Sequence, residues 1–204
     1  MSRTAEPPGS LFPPFILASS SPRRRRLLDS AGLTFDVIPA SVPEDPGADE
    51  TPAAYVRRLA AEKAAEVARR QRAQGDSRPV LAADTTVVLD GEPLGKPADR
   101  NRAREMLVRL SGRTHLVITG VCLLDEDGGE HGQVVTTEVE FKELSAAEIE
   151  AYLDAGEWRD KAGSYGIQGR AAVMVRSVYG SYTNVVGLPL CEAVEALCEA
   201  GVAR

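Results

Sequence analysis

The residue in this sequence best placed to do chemistry is an aspartate in the middle of an apolar run. Asp84 interrupts Val80-Leu81-Ala82-Ala83-Asp84-Thr85-Thr86-Val87-Val88-Leu89, the most strand-like stretch of the chain. Burying a carboxylate without partners is costly, so Asp84 is expected to face a cleft, a metal ion or a lysine. The plainer alternative is a satisfied structural acid. A second constellation, Ser19-Ser20-Ser21-Pro22-Arg23-Arg24-Arg25-Arg26, puts four arginines at the start of a helix. Cations there oppose the helix dipole by roughly 0.3–1 kcal/mol each. An anion held by serine hydroxyls, free helix N–H groups and guanidinium forks would reverse that sign. The competing reading is a solvated basic helix end.

Two further features carry chemistry. The chain has twenty arginines and only four lysines, Lys63, Lys96, Lys142 and Lys161, so positions that keep lysine are candidates for a compact ammonium. Gly91-Glu92-Pro93-Leu94-Gly95-Lys96-Pro97 looks like a phosphate loop but fails as a Walker A motif. It is one residue short, and Pro97 stands where a hydroxyl would hold magnesium. The stretch Gly156–Gly169, with Asp160, Lys161 and Gln168 among its glycines, makes a poor helix and a poor strand; such loops allow close backbone approach to a ligand.

The elements that must position these residues can be read from periodicity and punctuation. Phe15-Ile16-Leu17-Ala18 predicts a buried first strand, followed by a helix with Pro22 at its first position and Gly32 just past its end. Thr34–Pro39 predicts a second strand, and Ser41–Glu50 an acidic loop with Glu44 and Asp45. Thr51 caps a helix running to about Arg72, with Lys63 near its apolar face. Val80–Leu89 is a strand closed by an Asp90-Gly91 turn. Asp99 or a neighbour starts a helix through Leu110; His115–Leu124 and Val134–Phe141 are strands; Ser145 and Glu148 form a capping box. Ala171–Val178 and Ser181–Val186 read as a hairpin around Tyr179-Gly180, before a final apolar helix over Leu190–Ala200. Residues 1–14 read as a loose proline-bearing tail, and 15–204 as a single domain.

The totals exclude several classes. A net charge of −6 argues against general nucleic-acid binding, so any phosphate site must be a local pocket. Three cysteines without ligand spacing point to reduced thiols and a cytoplasmic location, and two histidines make a histidine-rich zinc site improbable. No apolar run reaches membrane-spanning length, and no signal-peptide pattern opens the sequence.

Taken together, the segments resemble the Maf family of nucleoside triphosphate pyrophosphatases. The motifs that carry the resemblance are Leu17–Arg24, Leu59–Ala64, Ala83–Val88, Leu94–Pro97, Leu110–His115, Asp160–Gly169 and Asn184–Pro189, in register over residues 15–198. The resemblance implies an elongated mixed α/β fold, its curved sheet forming two lobes around a nucleotide cleft, as a homodimer. It implies hydrolysis between the α- and β-phosphates with a divalent cation, Mg²⁺ or Mn²⁺. Asp84 matches the family's proposed general base, and Asp84 with Glu44 supplies hard oxygen ligands for the cation. Ser19, Arg24, Lys63 and Lys96 would hold phosphates, with Asp160 and Lys161 completing the cleft. Arg23, Thr85 and Gln168 match the base-selecting positions of the dTTP/UTP branch, and a glutamine amide suits the O4 and N3–H edge of thymine or uracil. Arg26 departs from the family, which commonly has an acid before the two leucines. Rival readings are a purine pyrophosphatase acting on ITP or XTP, a cell-division regulator with hydrolysis lost, and a non-catalytic phosphate sensor built on Arg23–Arg26.

Overall fold

The apolar run around Asp84 forms the spine of one seven-stranded mixed sheet. The computed structural model describes residues 13–201. In chain order the elements are β1 (Phe15–Leu17), α1 (Pro22–Ser30), β2 (Phe35–Val37), α2 (Pro52–Arg72), β3 (Val80–Leu89) and β4 (Glu92–Leu94). There follow α3 (Arg100–Leu110), β5 (Thr114–Leu124), β6 (Glu130–Phe141), α4 (Ala146–Asp154), β7 (Val175–Tyr179), α5 (Tyr182–Val186) and α6 (Leu190–Glu199). The sheet order is β2-β1-β3-β5-β6-β7, with β4 beside β3.

Pairing explains where the sheet opens. β5 runs antiparallel along one edge of β3, from Val80 to Val88. On the other edge, β1 pairs with β3 only at Val80 and Leu81, and β4 only at Val87–Leu89. Between them Ala82–Thr86 has no strand beside it on that edge, and Asp84 lies in that gap. The turn after β1 and the chain after β4 leave the sheet on either side of the same opening.

Helices cover both faces. α2 opens on Thr51, whose hydroxyl accepts from the Ala54 N–H, a cap worth about 1 kcal/mol. Its buried face, including Val56, Ala60, Ala64 and Val67, lies on β3 and β5, with Ile16, Val80 and Cys122 beneath its later turns. Contact is closest at Gly120, where a Cβ would sit 2.3 Å from the Val56 carbonyl oxygen. The opposite face buries the larger core, with Phe15, Leu17, Leu81, Leu107, Phe141, Leu153 and Leu197 among its members.

The expected boundaries hold closely through α2, β3, α3 and the capping box at Ser145. Gly32, at φ 71°, follows the end of α1. Four elements differ. Ala171–Met174, expected as the first half of a strand, forms a 3₁₀ turn over Arg170–Met174, so β7 begins only at Val175. Glu92–Leu94 adds a short strand, because the Asp90-Gly91 turn returns the chain onto β3. β6 begins at Glu130, carried down the whole length of β5. Ser181–Val186 is not the second strand of a hairpin but the helical turn α5. The Ser181 hydroxyl caps it at Asn184, and the buried Asn184 amide donates to the Val117 carbonyl and the Thr137 hydroxyl. Those tertiary bonds override the β-branched composition. The expected tail, apart from Pro13 and Pro14, lies outside the described residues.

Candidate active site

Successive side chains of a strand point to opposite faces, so β3 sends Asp84 one way and Thr85 the other at the open edge. Asp84 is 9% exposed. On its side, α2 raises Lys63 until Nζ stands 2.6 Å from Asp84 Oδ1 and 2.6 Å from Glu44 Oε1. Lys96, just beyond β4, reaches Glu44 Oε2 at 3.4 Å. Burial alone would raise the Glu44 carboxyl, but hydrogen bonds and charge from Lys63 and Lys96 outweigh it and hold it below the ordinary carboxylate range.

On the other side, each of the three guanidinium nitrogens of Arg24 makes one bond within the protein. Nε donates to the Gly187 carbonyl at 2.7 Å, Nη1 to Ser19 Oγ at 3.2 Å and Nη2 to Thr85 Oγ1 at 3.1 Å. Burial pulls its pKa below the ordinary arginine value, with the Asp84 charge opposing. Thr85 Oγ1 also lies 2.9 Å from Thr119 Oγ1 and 3.3 Å from the Gly187 oxygen, so the hydroxyl is committed within the protein. The serine turn is knitted to itself as well. Ser19 Oγ accepts from the Ser21 N–H at 3.2 Å, and Ser21 Oγ caps α1 at the Arg24 N–H.

The run of four arginines divides. Arg23 and Arg24 turn into the cleft, whereas Arg25 and Arg26 are exposed, Arg25 facing Asp29 at 3.6 Å. An anion gathered by all four is therefore excluded; helical rotation sends the second pair to solvent. The phosphate-sensor reading built on Arg23–Arg26 loses half its residues for the same reason.

The glycine-rich stretch forms the far wall. A Cβ at Gly163, where φ is 65°, would stand 2.9 Å from the Val87 side chain, so this loop presses onto β3. Burial lowers the pKa of Arg23, opposed by the Asp160 charge, and burial followed by the Arg23 cation lowers that of Lys161. The Lys161 ammonium donates to the carbonyls of Glu157 and Arg159. Gln168 is exposed on the same wall. Behind it, the Tyr165 hydroxyl lies 2.8 Å from His115 Nε2, which leaves the tyrosine ring toward the cleft.

All eleven residues singled out from the sequence line one cleft of about 440 Å³: Ser19, Arg23, Arg24, Glu44, Lys63, Asp84, Thr85, Lys96, Asp160, Lys161 and Gln168. Its cations outnumber its carboxylates five to three although the chain is net acidic. Val87, Val117, Ile167 and Val185 supply apolar wall. A second recess of about 390 Å³ shares Glu44, Asp84, Thr85 and Lys96 and extends past Tyr55, Pro52 and Pro93. A polyanion fits the cationic end, and a planar apolar group with polar edges fits the other. Among the described residues no cluster of three or more His, Cys, Asp or Glu side chains could hold a metal; Asp84 and Glu44 form a pair of oxygen donors.

Sequence reasoning missed the Gly187 carbonyl, Thr119, Tyr55 and Arg58. Gly187 lay inside a recognised motif, yet nothing in the sequence says that Arg24 seeks its carbonyl. Thr119 is an ordinary strand threonine until β3 and β5 are paired.

A family model described as Maf-like protein matches residues 14–200. The chain is 48% identical over 93% of its length to the dTTP/UTP pyrophosphatase of Syntrophotalea carbinolica, covering 86% of that protein. It is 51% identical over 89% of its length to the dTTP/UTP pyrophosphatase of Geobacter metallireducens, covering 93% of that protein. Among solved structures, a HAM1 protein from Coxiella burnetii aligns at TM-score 0.49 and 18% identity, over 91% of this chain and 98% of that one. No helix among the described residues is long and apolar enough to cross a membrane.

Proposed function

Because this chain belongs to the Maf family, we propose that it hydrolyses nucleoside triphosphates, dTTP and UTP foremost, to the monophosphate and pyrophosphate. The observation that carries the proposal is the Lys63–Asp84 pair, 2.6 Å apart, set at an open sheet edge inside a cation-lined cleft. Lys63 holds Oδ1 of Asp84, and Oδ2 is free of hydrogen bonds among the described residues. That oxygen is the base: it takes a proton from water as the water oxygen bonds to the α-phosphorus. The bond from the α-phosphorus to the bridging oxygen breaks, and pyrophosphate leaves with that oxygen. Arg24, Lys63 and Lys96 stabilise the phosphate charge, with Ser19 lining the same end.

The family reading includes a divalent cation, Mg²⁺ or Mn²⁺, and the donor set fits one. Two carboxylates, Asp84 and Glu44, suit a cation that arrives with substrate phosphates and keeps several waters. When bound, such a cation neutralises phosphate charge and polarises the phosphorus–oxygen bonds. At the other end, the Gln168 amide and Arg23 select the base, while Thr85 acts through Arg24 because its hydroxyl is already engaged. Asp160 and Lys161 shape that end of the cleft. The same reading treats 15–204 as one domain of a cytoplasmic homodimer.

The test is pyrophosphate release from dTTP, UTP, CTP, GTP, ITP and 7-methyl-GTP with Mg²⁺ or Mn²⁺, beside Asp84→Asn. Turnover of dTTP and UTP that disappears in the variant, with nucleotide binding retained, is the expected result. Undiminished turnover by Asp84→Asn overturns the assignment of the base, and preference for ITP overturns that of the substrate.

A further inference from the structure

Glu44 occupies an exposed loop, Ser41–Glu50, without regular secondary structure, yet its carboxylate sits between two ammonium groups. Ordering the backbone of such a segment costs conformational entropy, so something must hold it. The restraint comes from α2. The Tyr55 hydroxyl donates to the Glu44 carbonyl at 2.8 Å, and Arg58 Nη2 donates to the Asp45 carbonyl at 3.0 Å. Arg58 also grips the Glu50 carboxylate with two parallel bonds, Nε to Oε1 and Nη2 to Oε2, each 2.8 Å. Glu50 Oε2 in turn accepts from the Gly47 N–H at 2.9 Å. Glu62, one turn further along α2, braces the remaining arm of Arg58 at 3.2 Å. The loop is thus stapled in its middle and at its Glu50 end to the helix that carries Lys63.

We propose that Tyr55 and Arg58 are positioning residues for Glu44, holding its carboxylate at Lys63 and Lys96 and so at the phosphate and cation end of the cleft. The proposal rests on the reading of Glu44 given above. One helix then sets both partners of the Lys63–Glu44 contact: the lysine directly, and the glutamate through the loop. The Arg58 contact pulls the Glu50 carboxyl down to about 2, so the clamp stays charged throughout the neutral range. Bidentate arginine pairs fix direction as well as distance, which a lysine at position 58 would not reproduce.

The experiment is a pair of double-mutant cycles, Tyr55→Phe with Glu44→Gln and Arg58→Lys with Glu44→Gln, read in two ways. One readout is kcat and KM for dTTP. The other is Mn²⁺ binding followed by electron paramagnetic resonance with inorganic pyrophosphate and no nucleotide. Each clamp variant is expected to lower kcat about tenfold and weaken Mn²⁺ binding severalfold in the parent, then to add nothing in the Glu44→Gln background. The isosteric Tyr55→Phe keeps the test valid should Arg58→Lys fold poorly. Equal losses in both backgrounds would make the clamp a general fold element and overturn the proposal. Unchanged kinetics and Mn²⁺ binding in the clamp variants would overturn it too. If Glu44→Gln alone matches the parent in both readouts, the role of Glu44 falls, and the clamp falls with it.

Discussion

Arg24 donates from Nε to the carbonyl of Gly187 across 2.7 Å, joining the first turn of α1 to the chain just ahead of α6. The other two nitrogens of the same group reach Ser19 and Thr85. One side chain therefore registers the serine turn, the central strand and the C-terminal segment against one another.

Arg24→Lys should be far from conservative. Lysine keeps the charge but cannot make three bonds in a planar fork, and the Gly187 carbonyl loses its closest donor. Leaving a buried acceptor short of a partner costs about 1–3 kcal/mol. The expected outcome is a melting temperature lower by roughly 2–10 °C and a KM for dTTP raised about tenfold or more. Thermal melts and steady-state kinetics check both parts.

Gly120→Ala should destabilise by pressing on α2 from the ladder position directly opposite Asp84. The new methyl meets the Val56 carbonyl at 2.3 Å and the Arg57 nitrogen at 2.8 Å, backbone atoms that move only if α2 moves. Overpacking of this kind costs about 1–3 kcal/mol, and more where backbone must shift. A fall of about 5–10 °C in melting temperature is expected. Activity should fall as well, because α2 carries Lys63. An unchanged melting temperature would mean that the α2–β5 contact is looser than described.

Stability should fall in mildly acidic solution because of His115. Its ring is buried among Phe141 and Tyr165, Nδ1 has no partner among the described residues, and burial lowers its pKa from 6.5 to about 4. The unfolded chain therefore binds a proton that the folded chain refuses between those two values. The stabilisation is complete above pH 6.5 and is lost as pH falls toward 4, by about 3 kcal/mol in all. Glu50, Glu148 and Glu150, held near 2, lose their contribution only below 4.5, so the windows separate. Urea unfolding from pH 7 to pH 4.5 should show the slope, and His115→Gln should flatten it.

Gln168→Ala should reduce the preference for pyrimidine over purine triphosphates by about tenfold while slowing the best substrate less. Competition between dTTP and GTP measures the ratio. Equal slowing of both would move Gln168 to a structural or phosphate-side role.

Most of the site was legible because its residues violate local rules. Asp84 breaks an apolar run, Arg23 and Arg24 oppose a helix dipole, and the glycine stretch around Gln168 suits neither helix nor strand. What stayed hidden depends on partners distant in the chain. α5 looked extended because Val185 and Val186 favour strands, and its helical turn is fixed by Asn184 bonding to Val117 and Thr137. The split between Arg24 and Arg25 is set by the angle at which α1 meets the cleft. Nothing in the sequence ties Tyr55 and Arg58 to the Glu44 loop, which only the fold brings back over α2.

The gap on the edge of β3 divides the labour of the cleft. Asp84 is carried by a long antiparallel ladder with β5, whereas Gln168 hangs from a segment outside the sheet, anchored by Gly163 against Val87, Tyr165 on His115 and Ser164 on Met106. On the roles proposed above, reaction and selectivity are thus carried on separate pieces of the molecule. If Gln168 selects the base as proposed, exchange of Gln168 and its exposed neighbours, with the buried Trp158, Tyr165 and Ile167 kept, would retune which base is accepted while the ladder that holds the carboxylate stays as it is.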